Sequence, residues 1–235
     1  MKPVAIFRHA PTEGPGYFAT VLGRHNIPWQ VIGVDAGEPV PADPRAWAGV
    51  VFMGGPMSVK DDLPWIAPVL KLICDSVDAD VPVLGHCLGG QLMSQALGGG
   101  VSRNPIKEIG WGEVAVMDTP VARQWFGHAV PSFISFHWHG ETFALPPGAE
   151  RVLANAHCEN QAFAIGRHLA MQCHIEMTSE MIDTWCDTGA AEISRSKSPA
   201  VQQVTSIKAG IGGRLAALNA VADGVYAHWI KGLVR

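Results

Sequence analysis

The stretch Val81-Pro-Val-Leu-Gly-His-Cys-Leu-Gly-Gly-Gln-Leu-Met-Ser-Gln-Ala-Leu97 decides the fold. Its first part, 81–84, is apolar and rich in β-branched residues, which predicts a short buried strand. Its last part, 91–97, predicts the start of a helix. Cys87 lies between them in a Gly-x-Cys-x-Gly pattern. That pattern is typical of the sharp strand-to-helix turn that presents a nucleophile.

A cysteine at such a turn lies at the N-terminus of the helix that follows. Free backbone N–H groups and the helix dipole there favour a thiolate and can donate hydrogen bonds to an oxyanion. The alternative for Cys87 is a small buried side chain in a tight turn, which is the usual state of an intracellular cysteine. The glycines, the strand and the helix together favour the nucleophile, provided that a base lies elsewhere in the chain.

Composition limits the class of protein. The chain has 235 residues, of which 48% are hydrophobic and 16% charged, and this fits one α/β domain with a substantial core. The net charge of -4 and the lack of basic runs predict no nucleic-acid partner. No apolar run is long enough to span a membrane, and the N-terminus lacks signal-peptide features. Five cysteines without close pairs argue against a disulfide scaffold and predict a cytoplasmic location.

The order of the predicted elements indicates an α/β fold. Three strands and two helices are predicted before the central stretch, at 4–7, 29–34 and 49–53 and at 17–24 and 63–77. Alternation of strands and helices implies a parallel sheet with right-handed crossovers, and sites in such sheets lie at the C-terminal ends of the strands. Gly54-Gly55-Pro56 and Cys87 both follow strands, so we expect them to be neighbours.

The second half of the chain has a different character. Five short strand-like segments occur at 111–117, 132–137, 150–156, 161–166 and 169–174. They predict antiparallel strands added to the sheet, followed by a helix over 178–186 and a polar break at 194–199. Residues 200–230 show helical spacing with an interruption at 210–213.

We therefore predict a three-layer, flavodoxin-like α/β fold with a mostly parallel sheet, added antiparallel strands and a C-terminal helical extension. Residues 1–194 are predicted to form one domain. Residues 195–235 are predicted to be an extension that packs on the same domain.

A candidate base for Cys87 lies in Met171-Gln-Cys-His-Ile-Glu-Met-Thr178. His174 and Glu176 are two residues apart, so on an extended backbone their side chains point the same way. A histidine can take the proton of a thiol, and a carboxylate can fix the tautomer of that histidine. Alone, such a pair is more often two polar residues at a strand end. Its combination with Cys87 favours a catalytic pair.

With these motifs together, the sequence resembles the class I glutamine amidotransferases, and among them the glutaminase domain of GMP synthase. The resemblance covers most of residues 1–190. The matching motifs are Gly55-Pro56, Gly85-His-Cys-Leu-Gly-Gly-Gln91, His139-Gly-Glu-Thr-Phe-Ala-Leu-Pro-Pro-Gly148 and Gln172-Cys-His-Ile-Glu176. Their joint order and spacing are specific, although each motif alone is not.

The resemblance implies that Cys87, His174 and Glu176 form a catalytic triad. It implies an oxyanion hole formed by the backbone N–H groups of Gly55 and Leu88. The glutamine pocket that it implies is lined by Met57, Gln91, Trp138, Gly140 and Glu141. The implied reaction is attack of a thiolate on the amide of glutamine, release of ammonia and hydrolysis of a thioester, with no cofactor.

Three features of the sequence bear on this interpretation. Trp138 stands where the family usually has Ser or Asn, so a large ring replaces a small polar group. His86 is also unusual for the family; it could tune Cys87 or face away from it, and we favour the second. His137 and His139 have the spacing of two metal ligands on a strand, but without a third ligand nearby we predict no metal site.

Three functions remain open from the sequence. Glutaminase domains usually supply ammonia to a synthetase, and here Gly98-Gly-Gly100 lacks the Lys-Ser/Thr of a phosphate loop. We favour a glutaminase that supplies a separate synthetase subunit. The alternatives are a free-standing γ-glutamyl hydrolase or peptidase, and a catalytically silent binding or regulatory subunit. The C-terminal tail is interpreted as packed on its own domain, although a partner dock or a homodimer face is also considered.

Overall fold

The first half of the chain alternates strands and helices, as predicted. A computed structural model describes residues 1–128 and 130–234. The elements of this half are β1 (Val4–Arg8), α1 (Gly16–Arg24), β2 (Trp29–Gly33), β3 (Gly49–Phe52), α2 (Ile66–Asp78), β4 (Val83–His86) and α3 (Leu88–Ala96).

The second half supplies longer strands and the C-terminal helices. Its elements are β5 (Val101–Val116), α4 (Pro120–Phe126), β6 (Ser132–Phe143), β7 (Glu150–Ala154), β8 (Ala162–Ile165), β9 (His168–Met171), α5 (Ser179–Thr188), α6 (Ala190–Arg195), α7 (Val204–Lys208) and α8 (Ile211–Lys231).

All nine strands form one sheet in the order β2-β1-β3-β4-β9-β8-β7-β5-β6. Strands β2, β1, β3, β4 and β9 pair in parallel, and β8, β7, β5 and β6 extend the sheet with antiparallel pairs. Because β9 lies beside β4, the segment after β9 comes close to the turn after β4. The predicted fold class is therefore confirmed.

Helices cover both faces of the sheet and make two cores. Along β1, Val4 and Ile6 pack with α1, α5 and α8, whereas Ala5 and Phe7 pack with α2 and α3. This strand is buried on both faces, as the uninterrupted apolar run predicts.

The C-terminal helix α8 is an integral part of one of these cores. Tyr226 and Trp229 are fully buried and contact Phe18 of α1 edge-on, at centroid distances of 4.8 and 5.7 Å. The tail thus packs on its own domain, as interpreted from the sequence. The boundary between the main domain and the tail at residue 194 stays a prediction. The use of the tail as a homodimer face also stays a prediction. In the part of the chain that the structure describes, no helix is both long and apolar enough to cross a membrane.

Several predicted boundaries near the site were wrong. The strand expected at 81–84 is β4, two residues later, and the helix expected from Gln91 begins at Leu88. Gly89 and Gly90 belong to this helix, and neither position has room for a side chain because the backbones of Phe52 and Met171 pass close by. The strand expected at 169–174 ends at Met171, and the next residues bend toward β6.

Other differences concern longer or additional elements. β5 begins at Val101 and β6 continues to Phe143, because the two strands pair along most of their length. Helices α4 and α6 were not predicted; they are short and lie in segments rich in turn signals. The tail is two helices interrupted at Gly210, whereas Gly212 and Gly213 belong to α8.

Candidate active site

Cys87 occupies the turn between β4 and α3 in a strained backbone conformation. Its φ is 49° and its ψ is −106°, which a residue with a side chain rarely adopts. A methyl group added at Gly85 would lie 2.6 Å from the backbone of Gly89, and one at Gly89 would overlap the carbonyl oxygen of Phe52. The two glycines are therefore what allows the turn to close against β3.

His174 and Glu176 lie just beyond β9, in the bend that reaches β6. The backbone of His174 exchanges two hydrogen bonds with that of Phe136, of 2.8 and 3.3 Å. Nδ1 of His174 lies 2.6 Å from Oε1 of Glu176, and both side chains are buried. The expected contact is present even though the segment is bent and not a strand.

The charges of this pair reinforce each other. Burial alone would lower the pKa of His174, but the charges of Glu176 and Cys87 outweigh burial and raise this pKa well above its usual value. Burial would raise the pKa of Glu176, but the charge of His174 and, to a smaller extent, that of His86 lower it to about 2. The contact with Glu176 therefore favours the protonated form of His174.

The second nitrogen of His174 is directed away from Glu176. Among the described residues, Nε2 has no hydrogen-bond partner. Cys87 and His174 line the same cavity, whose volume is about 710 Å³. The arrangement brings a cysteine and an imidazole to one cleft, with a carboxylate on the far side of the ring.

The two residues expected to form an oxyanion hole are in contact. A methyl group added at Gly55 would lie 2.7 Å from Cδ2 of Leu88 and 2.6 Å from Sδ of Met57. Leu88 is the first residue of α3, so its N–H has no partner within the helix. Gly55 lines the cavity together with Cys87, and Leu88 follows Cys87 directly in the chain.

All the residues expected to bind glutamine line this cavity. They are Met57, Gln91, Trp138, Gly140 and Glu141. The amide of Gln91 also has an internal partner, because it donates to Oε1 of Gln172 over 3.1 Å. Gln172 in turn donates to Sγ of Cys87 over 3.4 Å. Gln91 thus contacts the cavity and supports the sulfur indirectly.

Trp138 is part of the cavity wall. Its ring packs edge-on against Trp185 at 6.0 Å, and Gly189 has no room for a side chain beside it. Its Nε1 donates to Glu192 over 2.9 Å. Its carbonyl oxygen lies 3.8 Å from Sγ of Cys87. The large ring is therefore anchored to α5 and α6, and the Trp138 backbone faces the nucleophile.

His86 is buried behind the site, in agreement with the expectation that it faces away from Cys87. Its Nε2 lies 2.9 Å from the hydroxyl of Tyr226 and 3.8 Å from Oε2 of Glu176. Burial lowers the pKa of His86, against the opposing charge of Glu176. No local pattern in the sequence indicates the contact with Tyr226, which is 140 residues away.

The reason given for excluding a metal site was wrong, because a third ligand type is close. Glu108 of β5 lies beside His137 and His139, and the ligand atoms of the three lie within 4.8 Å of one another. The Glu108 carboxylate already accepts hydrogen bonds from His139, Asn155 and Gln161, of 3.0, 2.7 and 2.8 Å. In this structure the cluster is a buried hydrogen-bond network that ties β5 to β6.

Glu13 is a cavity residue that the sequence did not indicate. It lies in the loop between β1 and α1 and lines the cavity with Cys87 and His174. Burial raises its pKa to about 7, against the charge of His174. Its loop carries no motif of the family, and only the fold brings it to the site.

Fold and site together are those of an α/β enzyme with a cysteine at the nucleophile turn. The family model of glutamine amidotransferase class-I matches residues 23–185. The chain belongs to this family, whose members are cysteine-dependent amidohydrolases.

Relatives whose names state different activities resemble the chain. A glutamine-hydrolyzing GMP synthase of Aeropyrum pernix is 34% identical over 191 residues, which are 77% of this chain and 35% of that protein. Gamma-glutamyl peptidase 4 of Arabidopsis thaliana is 28% identical over 172 residues, 70% of this chain and 68% of that protein. The chain thus spans about a third of the GMP synthase.

A solved structure matches over the whole chain. The crystal structure of a glutamine amido transferase from Methylobacillus flagellatus is 43% identical, with a TM-score of 0.97. The match covers 100% of this chain and 96% of the other. The C-terminal helices are therefore shared with that protein.

Proposed function

We propose that this protein hydrolyses the side-chain amide of glutamine and releases ammonia. The single observation that carries the proposal is the cleft shared by the strained Cys87 and the buried His174–Glu176 pair. The raised pKa of His174 supports a resting state in which this ring carries the proton that the leaving nitrogen needs.

The reaction then follows from the positions of the groups. The thiolate of Cys87 attacks the amide carbon, the C–N bond breaks, and His174 gives its proton to the nitrogen, which leaves as ammonia. Water then attacks the thioester and gives a proton to His174. The C–S bond breaks, glutamate leaves, and the thiolate and imidazolium are restored. Glu176 keeps the ring in one tautomer and stabilises its positive charge.

The backbone N–H groups of Gly55 and Leu88 are the proposed oxyanion donors. The close approach of Gly55 to the side chains of Leu88 and Met57 supports this role. The position of Leu88 at the start of α3 supports it as well. The proposed glutamine pocket is lined by Met57, Gln91, Trp138, Gly140 and Glu141.

Family membership favours ammonia transfer to an acceptor. The resemblance to a GMP synthase, of which this chain spans only a part, supports a separate synthetase subunit as the partner. The relative named gamma-glutamyl peptidase supports a second candidate, a hydrolase of γ-glutamyl compounds that acts without a synthetase. Both candidates use the same Cys87 chemistry. A cytoplasmic location remains part of the proposal.

The experiment measures ammonia and glutamate release from glutamine and from a series of γ-glutamyl amides. We expect Cys87→Ala to lower release by at least about a thousandfold. Cys74→Ala is the matched control, because Cys74 lies on α2 and does not line the cavity. Equal activity of Cys87→Ala and the native protein would refute the mechanism.

The same assay separates the candidates. Cleavage of γ-glutamyl amides with glutamine spared would favour the hydrolase. No release from any substrate, together with no reaction of Cys87 with an electrophilic glutamine analogue, would favour a catalytically silent subunit.

A further inference from the structure

Glu13 borders the edge of His174 that faces the cavity. A methyl group added at Gly54 would lie 2.5 Å from Oε2 of Glu13 and 3.3 Å from Cε1 of His174. Both side chains therefore contact the backbone of Gly54, one residue before the proposed oxyanion donor Gly55. Cε1 lies between Nδ1, which contacts Glu176, and Nε2, which has no partner among the described residues.

Among the described residues, the carboxylate of Glu13 makes no hydrogen bond or ion pair that would stabilise the fold. Among the described residues, no hydrogen bond or ion pair contributes to its pKa, which burial raises to about 7. The charge of His174 acts against this rise and that of Glu176 adds to it. Glu13 is partly buried, and a carboxylate without a partner beside the histidine of a cleft is a candidate functional group.

The reaction geometry defines what Glu13 faces. In the proposed mechanism Nε2 of His174 delivers its proton to the leaving nitrogen, so that nitrogen must pass beside Nε2. Glu13 lines the same cavity and meets Gly54 beside Cε1 of this ring, so its carboxylate lies near the side on which the amine leaves. Any substituent on the nitrogen would extend toward this side of the cavity.

We propose that Glu13 is the residue that selects the leaving amine. This inference rests on the proposed function. The carboxylate accepts a hydrogen bond from the NH2 group of the glutamine amide and repels a leaving group that carries its own carboxylate, as in γ-glutamyl amino acids. Glu13 forms no covalent bond and exchanges no proton with the substrate. Its role is to distinguish glutamine from γ-glutamyl peptides.

Other charged side chains line the same cavity as Glu13. Its wall also carries Asp61, Lys107, Glu141 and Glu192. Lys107 is paired with Glu192, so the cation of the wall already has an acidic partner. The groups that act directly on Glu13 are His174 and Glu176. The acidic balance of this wall agrees with exclusion of an anionic leaving group.

The test compares three substrates that differ only at the leaving group: glutamine, γ-glutamyl methylamide and γ-glutamylglycine. Each is assayed with the native protein, with Glu13→Gln and with Asp62→Asn. Asp62 is an exposed acid that does not line the cavity, so it controls for loss of one negative charge. Glu13→Gln has nearly the same shape as the native side chain, so we expect the fold to be kept, and thermal unfolding checks this.

We expect Glu13→Gln to raise kcat/KM for γ-glutamylglycine relative to glutamine by about tenfold, because one repulsive charge is removed. Relative activity on the uncharged methylamide should change by less than about twofold.

In the native protein, discrimination against γ-glutamylglycine should rise between pH 6 and 8, because the Glu13 pKa is about 7 and the carboxylate forms above it. In Glu13→Gln that pH dependence should vanish, and Asp62→Asn should behave as the native protein.

The outcomes separate this inference from the proposed function. If the native protein cleaves glutamine and Cys87→Ala does not, but Glu13→Gln leaves both the ratio and its pH dependence unchanged, the role of Glu13 is refuted. Equal gains on the methylamide and γ-glutamylglycine would also refute it, because they would indicate steric exclusion. If Cys87→Ala stays as active as the native protein, the proposed function itself fails.

Discussion

The two sides of the His174–Glu176 pair are built differently. The front faces the cavity, where Cys87 has a strained backbone and Glu13 has no partner among the described residues. The back is closed by His86 and by Tyr226 of α8, both fully buried. The front must admit a substrate, whereas the back must exclude water so that the buried charges keep a strong interaction. The C-terminal helix therefore closes the back of this pair as well as contributing to the core.

We expect the largest loss of activity from a substitution of Glu176, which lies between the front and the back of the pair. In Glu176→Gln the amide cannot hold the positive charge of His174, so kcat should fall by about a thousandfold. Glu180→Gln, at the exposed start of α5, is the control and should keep full activity. A loss below about tenfold in Glu176→Gln would mean that the back of the pair contributes little to the reaction.

Substitution of glycine by alanine should change the free energy of unfolding in opposite directions on the two sides. Gly89→Ala puts a methyl group onto the carbonyl oxygen of Phe52, and the free energy of unfolding should drop by about 2 kcal/mol or more. Gly224→Ala lies in open space on α8, and it should raise stability by about 0.5–1 kcal/mol. Urea denaturation measures both. Similar effects of the two substitutions would contradict the close packing of the turn against β3.

The smallest effect is expected for a substitution of Tyr226, which tests whether the back of the pair contributes to the reaction. Tyr226→Phe removes the hydroxyl that holds Nε2 of His86, so kcat should fall about three- to tenfold and its pH profile should shift, with KM unchanged. Tyr17→Phe is the matched control, because it also removes a hydroxyl bonded to α8, but at a partly exposed site that contacts Asp223. If both variants kept the native pH profile, Tyr226 would be structural only.

The sequence predicted those features of the fold and the site that depend on residues close together in the chain. The turn at Cys87 and the His174–Glu176 spacing are local patterns, and the strand and helix order placed both at one edge of the sheet. The family resemblance added Gly55, Leu88 and the cavity residues.

The sequence did not predict what depends on pairing between distant segments. Glu108 reaches His139 only because β5 and β6 pair in a particular register, which no local pattern fixes. His86 and Tyr226 meet only because α8 packs under the sheet. Glu13 enters the cavity through a loop whose shape tertiary contacts determine. The lengths of β5 and β6 were underestimated for the same reason, because pairing sustains them beyond their apolar segments.

The central claim is that Cys87 is the nucleophile that attacks glutamine. The most direct measurement is peptide mapping by mass spectrometry after reaction with an electrophilic diazoketone analogue of glutamine. We predict that Cys87 alone among the five cysteines carries the adduct, and that excess glutamine prevents the reaction. Burial raises the pKa of Cys158 to about 11 and that of Cys173 to about 12, so neither should compete. An adduct on one of those cysteines, or labelling of Cys87 that glutamine does not slow, would contradict the account.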